Sequence, residues 1–330
     1  MIAWSDLYYF VYARLSVAPA GARRPQLLRQ GCRQPEAKEP RQGHLVLPRR
    51  CRRRLGLAAL SAIAQTKADI QVCYDCTAPS KRGKPVTTKM SLLCSTAEAK
   101  WFNDLSQWVD SLKSTPEGNA KYLDIFRKSC MTIDENGAQV WDLTKGPVKR
   151  VHTYVFTRPA DGTLTLYSKY GEDLGQYTEP LEEMQWTLVE DSAATVLGYE
   201  CVMAETDYHG RHWKAWFTPE VPMPFGPWKL HGLPGLILKA EADGGFSYLA
   251  TGIEKTDRPI MPMYMAGDYS RVDRRKALAN AEYYNNNRES IMNAQGQKVT
   301  IYSVDENGNK VAPPKFDGLR HSLEPDYKMK

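Results

Sequence analysis

Apolar and polar residues alternate from Asp69 to Cys76 and again from Thr87 to Cys94, with the loop Pro79 to Pro85 between them. A period of two is the mark of strands with one covered face, so the pair predicts a hairpin. The period then changes: Ser95 and Glu98 stand at capping-box spacing, and Trp101, Phe102, Leu105, Trp108, Val109 and Leu112 recur as one helical face. This predicts a helix from Ser95 to Lys113. Thr115-Pro116-Glu117 supplies an N-cap followed by proline at the first helical position, predicting a second helix running towards Lys128.

From Val140 to Thr256, β-branched and aromatic residues are punctuated by turns. Thr153 to Phe156 and Leu164 to Tyr167 flank Pro159-Ala160-Asp161-Gly162, while Tyr199 to Asp207 and His212 to Thr218 flank His209-Gly210. A further strand, Phe246 to Ile253, follows Asp243-Gly244-Gly245. Strands joined by short turns imply antiparallel pairing, because parallel pairs need crossover connections. Ser270 to Met292 is charged with weak apolar spacing and predicts a solvated helix. Its Arg271, Arg274, Arg275 and Lys276 read as a solvated face rather than a phosphate site. Thr300 to Val304 and Lys310 to Val311 form a last hairpin, after which a loose tail is expected. The predicted fold is mainly β: an antiparallel, strongly curved sheet or sandwich/half-barrel with two or three covering helices.

Charge divides the chain unevenly. The formal net charge is +6, but residues 1–60 hold 12 of the 44 Lys+Arg and 3 of the 38 Asp+Glu, leaving the remainder slightly acidic. A nucleic-acid partner inferred from overall charge would rest on this leader alone, and none is expected. Arg49 to Arg54, basic except for Cys51, precedes the apolar run Leu55 to Ile63, and Ala62-Ile63-Ala64 supplies small residues for cleavage. That is the layout of a secretory signal peptide, and it is too short for a transmembrane span. The alternative is a short buried helix behind a basic loop. Residues 1–45 read either as a disordered basic extension or as the product of a mis-assigned start. The expected organisation is therefore a leader and signal peptide over 1–64, a β domain over 65–265, and a charged helix, hairpin and tail over 266–330. The location would be extracytoplasmic, periplasmic or secreted.

An oxidising compartment would permit one or two disulfides among Cys73, Cys76, Cys94, Cys130 and Cys201, with the pairing left open. Gly226 to Ile237 packs glycines and prolines among large apolar residues. Within it, Leu233-Pro234-Gly235-Leu236 reads as a type II turn with positive φ at Gly235.

Gly198-Tyr199-Glu200-Cys201, Gly210 to Thr218, Gly226 to Leu230 and the string Gly232-Leu233-Pro234-Gly235-Leu236-Ile237 together resemble the GLPGLI family. The resemblance is clearest from Tyr177 to Thr256. It implies an exported protein of Gram-negative bacteria, uncharacterised in activity, and supplies no catalytic residues.

Candidate chemistry is sparse. Asp207, His209 and His212 offer a carboxylate and two imidazoles to a transition metal, although a tight turn between the histidines would send them apart. Arg211 invites stacking on a tryptophan or a bidentate carboxylate partner among Glu183, Glu190 and Glu200, most simply as a buried structural ion pair. Trp213 and Trp216 fall on opposite faces of one strand, and with Trp228 and Pro234 they suggest an apolar concavity or a recognition surface. No serine elbow, phosphate loop or zinc tetrad is present and no cofactor is expected. The leading expectation is an exported envelope binding or accessory protein, with an apolar or glycan ligand or an envelope protein as partner. An envelope hydrolase, metal-assisted or not, and a purely structural protein are the alternatives.

Overall fold

In the computed structural model the alternating segments become β1 (Ile70–Ala78) and β2 (Val86–Cys94), paired in antiparallel register as expected. The structure describes residues 66–329 apart from 306 and 307, and the leader and signal peptide lie outside the described residues. Among the described residues no helix is long and apolar enough to cross a membrane.

The helix expected from Ser95 begins later. Ala99–Phe102 is a strand, β3, and the helix α1 spans Asp104–Lys113. Trp101 and Phe102 are both buried but on opposite sides of the sheet. Trp101 packs edge-on to the rings of Tyr74 and Tyr248, while Phe102 belongs to a second cluster with Tyr154 and Phe156. Two adjacent aromatic residues can both be buried this way only on a strand covered on both faces. Ser95 does accept from the backbone N–H of Glu98, at 3.2 Å, but this closes a turn into β3. The N-cap of α1 is Asn103, which accepts from Ser106 N at 3.0 Å. The second helix, α2 (Pro116–Cys130), starts at the expected Thr115 cap.

The small hairpin β4 (Met131–Ile133) and β5 (Gln139–Trp141) ends the helical excursion. The chain then returns as β6 (Tyr154–Arg158), β7 (Thr163–Tyr170) and β8 (Asp173–Pro180). After these come β9 (Thr187–Val196), β10 (Tyr199–Tyr208), β11 (Arg211–Thr218), β12 (Leu236–Ala242) and β13 (Phe246–Lys255). With β14 (Ser270–Arg271) they form one 12-stranded sheet in the order β14-β8-β7-β6-β3-β2-β1-β13-β12-β11-β10-β9. All pairs are antiparallel except β14 with β8.

Strands β8 and β9 are consecutive in the chain yet lie near opposite edges of the sheet. Ten strand spacings would separate them by roughly 48 Å on a flat sheet, at about 4.8 Å each. The connection between Pro180 and Thr187 reaches roughly 25 Å when fully extended. The sheet must therefore curl until its edges approach, and the result is an open, strongly curved sheet. Its inner face holds the main core, where the Trp213 ring is stacked between Trp228 and Tyr248 at centroid separations of 5.5 and 5.9 Å.

The charged helix α3 spans Arg274–Ala294, with Ala277, Leu278 and Ala281 buried. The residues expected to form a loose tail are not loose. Phe316, His321, Ser322, Leu323 and Glu324 are all buried, and Leu323 joins the main core. What secures them is polar, so apolar periodicity could not announce it.

The five cysteines of the described region are free thiols. Cys73 is exposed and Cys76 buried, since residues three apart on a strand point to opposite faces.

Candidate functional site

The Gly226 to Ile237 segment lies across the seam where the curled sheet brings β8 and the β8–β9 connection near β11 and β12. His231 Nε2 lies 2.9 Å from the Glu182 carbonyl, and Trp186 Nε1 donates to the His231 carbonyl at 2.9 Å. The segment is thus stapled to the connection from both directions. Its glycines serve contact more than turn geometry. A Cβ on Gly235 would meet the Thr218 carbonyl oxygen at 2.1 Å, and one on Gly226 would meet Ile237 Cβ at 2.8 Å. The expected type II turn is corrected here. Gly235 N donates to Leu233 O at 2.8 Å, closing a three-residue turn at Pro234, and Gly235 does not take positive φ. Positive φ falls instead on Gly232, at 90°, and on Trp228, at 57°. A tryptophan in the left-handed region costs of order 1–2 kcal/mol, and this backbone accompanies two adjacent side chains, Trp228 and Lys229, that are both buried.

Lys229 centres a cluster of six acidic or basic groups, joined by the Tyr177 hydroxyl. Its Nζ lies 2.6 Å from Glu179 Oε1 and 3.1 Å from Glu324 Oε1, with no side-chain exposure of its own. Arg274 Nη1 donates to Glu324 Oε2 at 2.7 Å, and the same guanidinium grips Asp326 with two bonds of 2.9 and 2.5 Å. His209 sits between Glu179 and Asp326, 3.5 Å from each. Tyr177 donates its hydroxyl to Glu324 at 3.1 Å. Three carboxylates thus face a lysine, an arginine and one imidazole.

Burial alone would push the carboxyl of Glu324 up, but the charges of Lys229, His209 and Arg274 overcome that and hold it well below the usual range. Asp326 behaves likewise, burial opposing and Arg274 and His209 prevailing. Burial disfavours a charged His209, yet its contacts with Asp326 and Glu179 win and raise it above 6.5. Glu324 and Asp326 stay ionised because basic partners face them, and His209 is favoured in its charged form because carboxylates face it.

His209, Glu324 and Asp326 offer ligand atoms within 4.8 Å of one another, as a metal site would require. The donor set does not suit a cation, because Lys229 and Arg274 already occupy oxygens of these carboxylates. The predicted trio of Asp207, His209 and His212 does not assemble. His209 and Gly210, both at positive φ, make the tight turn. His209 enters the cluster, while His212 pairs with exposed Asp207 at 2.9 Å on the outer face.

Arg211 is buried but bonds to none of Glu183, Glu190 or Glu200. It donates to the carbonyls of Ser322 at 2.6 Å, Leu319 at 2.9 Å and Asp243 at 3.1 Å, and stacks 4.7 Å from the centre of the Phe246 ring. Trp213 and Trp228 are wholly interior. Pro234 is exposed at the seam, between buried Leu233 and Gly235, with Leu236 and Ile237 buried behind it. Trp216 is the exception among the three tryptophans. It is half-buried on the outer face, with Lys239 Nζ 4.0 Å from its ring centre. Register places Met203, Trp216, Lys239 and Leu249 in one row across β10 to β13, with Glu205, Lys214, Glu241 and Ser247 in the next.

Glu179, Glu324 and Asp326 carried no local signal in the sequence, and Arg274, expected on a solvated face, is instead 17% exposed and turned into the cluster by these carboxylates. Lys100 carried no local signal either; it is buried beneath residues 256–269 with the Phe102, Tyr154 and Phe156 rings within 5.6 Å. Burial lowers its amine to about 7 against the opposing pull of Asp110. A lysine in a strand covered on both faces has nowhere else to go, and Lys100 finds the Met261 carbonyl at 2.8 Å.

Residues 176–239 match a family model described as a protein of unknown function, Porph_ging. The matched span holds the seam segment, both arms of the His209-Gly210 hairpin, and Glu179. No curated protein matches the sequence. Two solved structures described as PNGF-II, in C2 and P21 space groups, are similar at 12% identity, with TM-scores of 0.41 and 0.44. The similarity covers 66% and 67% of this chain, which spans about a third of theirs, 33% and 34%.

Proposed function

We propose that the chain is an exported binding or accessory protein of the cell envelope, and that its recognition surface is the open outer face around Trp216. The observation that carries this reading is a half-buried indole on a solvent-facing sheet, with Lys239 beside it and Leu249, which is 44% exposed, one strand further on. The charged row Glu205, Lys214 and Glu241 lies beside it. An aromatic face next to hydrogen-bonding groups suits a ligand with one apolar and one polar aspect, and a glycan has both. The signal-peptide layout before Gln65 supports export. Trp228 and Pro234 leave this surface, since the seam uses them.

The test is binding of a panel of envelope glycans to the chain from Gln65 onward, read by tryptophan fluorescence and calorimetry. Trp216→Ala should abolish the signal with the melting temperature nearly unchanged. A detected ligand that binds Trp216→Ala as well as the parent would remove this surface from consideration.

A structural role for the seam segment is supported separately by its staples to the β8–β9 connection. On this reading Gly226, Gly232, Pro234 and Gly235 serve to hold the curl, and their substitution acts through stability.

A further inference from the structure

The last described segment of the chain is held in an unusual way: side chains of the body read its main chain. Asn286 of α3 donates to the Phe316 carbonyl at 2.9 Å and accepts from the Phe316 N–H at 2.7 Å, satisfying both polar groups of one residue. Glu282, one helical turn earlier, accepts from Gly318 N at 3.2 Å. Arg211 of β11 takes the carbonyls of Leu319 and Ser322. Beyond these come two carboxylates spaced by one proline, Glu324-Pro325-Asp326, received by Lys229, Arg274 and His209. Leu323 and Phe316 supply the apolar anchors.

Backbone-reading amides and guanidinia, followed by cationic side-chain pockets, are how a protein holds a peptide segment, here one that runs through short helical turns at Gly318–His321 and Pro325–Lys328. The connector supports the same view. Residues 295–315 are exposed or half-buried wherever described, and apart from their own short hairpin they are tied back by Asn293 to Val299 and by Glu289 to Ile301.

We propose that α3 and β11 form a peptide-binding groove, specific for an acidic segment of the kind Glu-Pro-Asp, and that residues 316–328 occupy it in cis as a separable ligand. The groove is then a receptor distinct from the outer face, and its contents can exchange.

The experiment uses the full chain with a site-specific protease sequence inserted after Gly308, cut while folded. A labelled synthetic peptide of residues 314–329 is added and its uptake followed by fluorescence anisotropy. The labelled peptide should enter, and unlabelled peptide should displace it. Peptide carrying Glu324→Gln and Asp326→Asn should compete at least about a hundredfold less well, because it leaves buried cations unpaired. Trp216→Ala in the body should leave exchange unchanged, which separates this site from the glycan surface. Three results would each overturn the proposal: a cut chain that unfolds, a folded cut chain that takes up no labelled peptide, or equal competition by the two peptides.

Discussion

The two sides of the hairpin β10–β11 carry the same kinds of residue in opposite states. Inward, Trp213 is stacked between two rings and Arg211 and His209 are surrounded by partners. Outward, Lys214 and His212 meet solvent and pair with surface carboxylates, and half-buried Trp216 lies under Lys239. His209 and His212 are three residues apart, yet one is locked in an ion cluster and the other sits at the surface. The difference teaches where change should matter. The inner side holds the curl together, and the outer side is free to be used for recognition.

The strongest test of that contrast removes one cation from each side. Lys229→Met leaves Glu324 buried with a charge deficit and should cost about 3–5 kcal/mol in urea unfolding. Lys239→Met on the outer face should fall within about 0.5 kcal/mol of the parent. Equal costs would break the comparison. The tryptophans give a second pair: Trp213→Ala should cost about 3–5 kcal/mol, and Trp216→Ala about 1 kcal/mol or less.

A smaller effect separates two glycines of the seam. Gly235→Ala forces a methyl group onto the Thr218 carbonyl and should cost about 1–3 kcal/mol or more through overpacking. Gly232→Ala meets only Trp186 Nε1, at an uncrowded 3.9 Å, and pays for its positive φ, about 1 kcal/mol. The reverse order would mean that turn geometry, not contact, governs the segment.

Titration sharpens the role of His209. Its pKa is raised on folding, so its contribution is complete below 6.5 and is lost as pH rises through the folded value. The stability gap between the parent and His209→Gln should therefore narrow towards alkaline pH. Asp326 is lowered, so its contribution is present above 3.8 and disappears on acidification, and the gap to Asp326→Asn should close towards acid. The mildest probe is alkylation of the folded protein read by peptide mapping. Cys73, exposed, should label before Cys76, whose thiol burial pushes up.

Much of the fold was legible because strands declare themselves locally. The hairpins around Pro79 to Pro85, Pro159 to Gly162 and His209-Gly210 all form where alternation and turn residues placed them. The failures share a cause. Trp101 and Phe102 mimic a helical face because a strand buried on both sides has no polar alternation to show. The final segment reads as loose because carboxylates and main-chain carbonyls hold it, and neither has a period. The candidate site was legible only in part: the seam string was visible, but its importance was assigned to tryptophan rather than to Lys229.

By itself, the sequence determined the β class and the hairpins around Pro79 to Pro85, Pro159 to Gly162 and His209-Gly210, since these depend on neighbours within a few residues. Only the tertiary structure decided that β8 and β9 draw the sheet into a curl, that His209 parts from His212, and that Glu324 and Asp326 meet Lys229 and Arg274. Those outcomes depend on groups that are 30 or more residues apart in the chain, and no local pattern encodes which charge will find which.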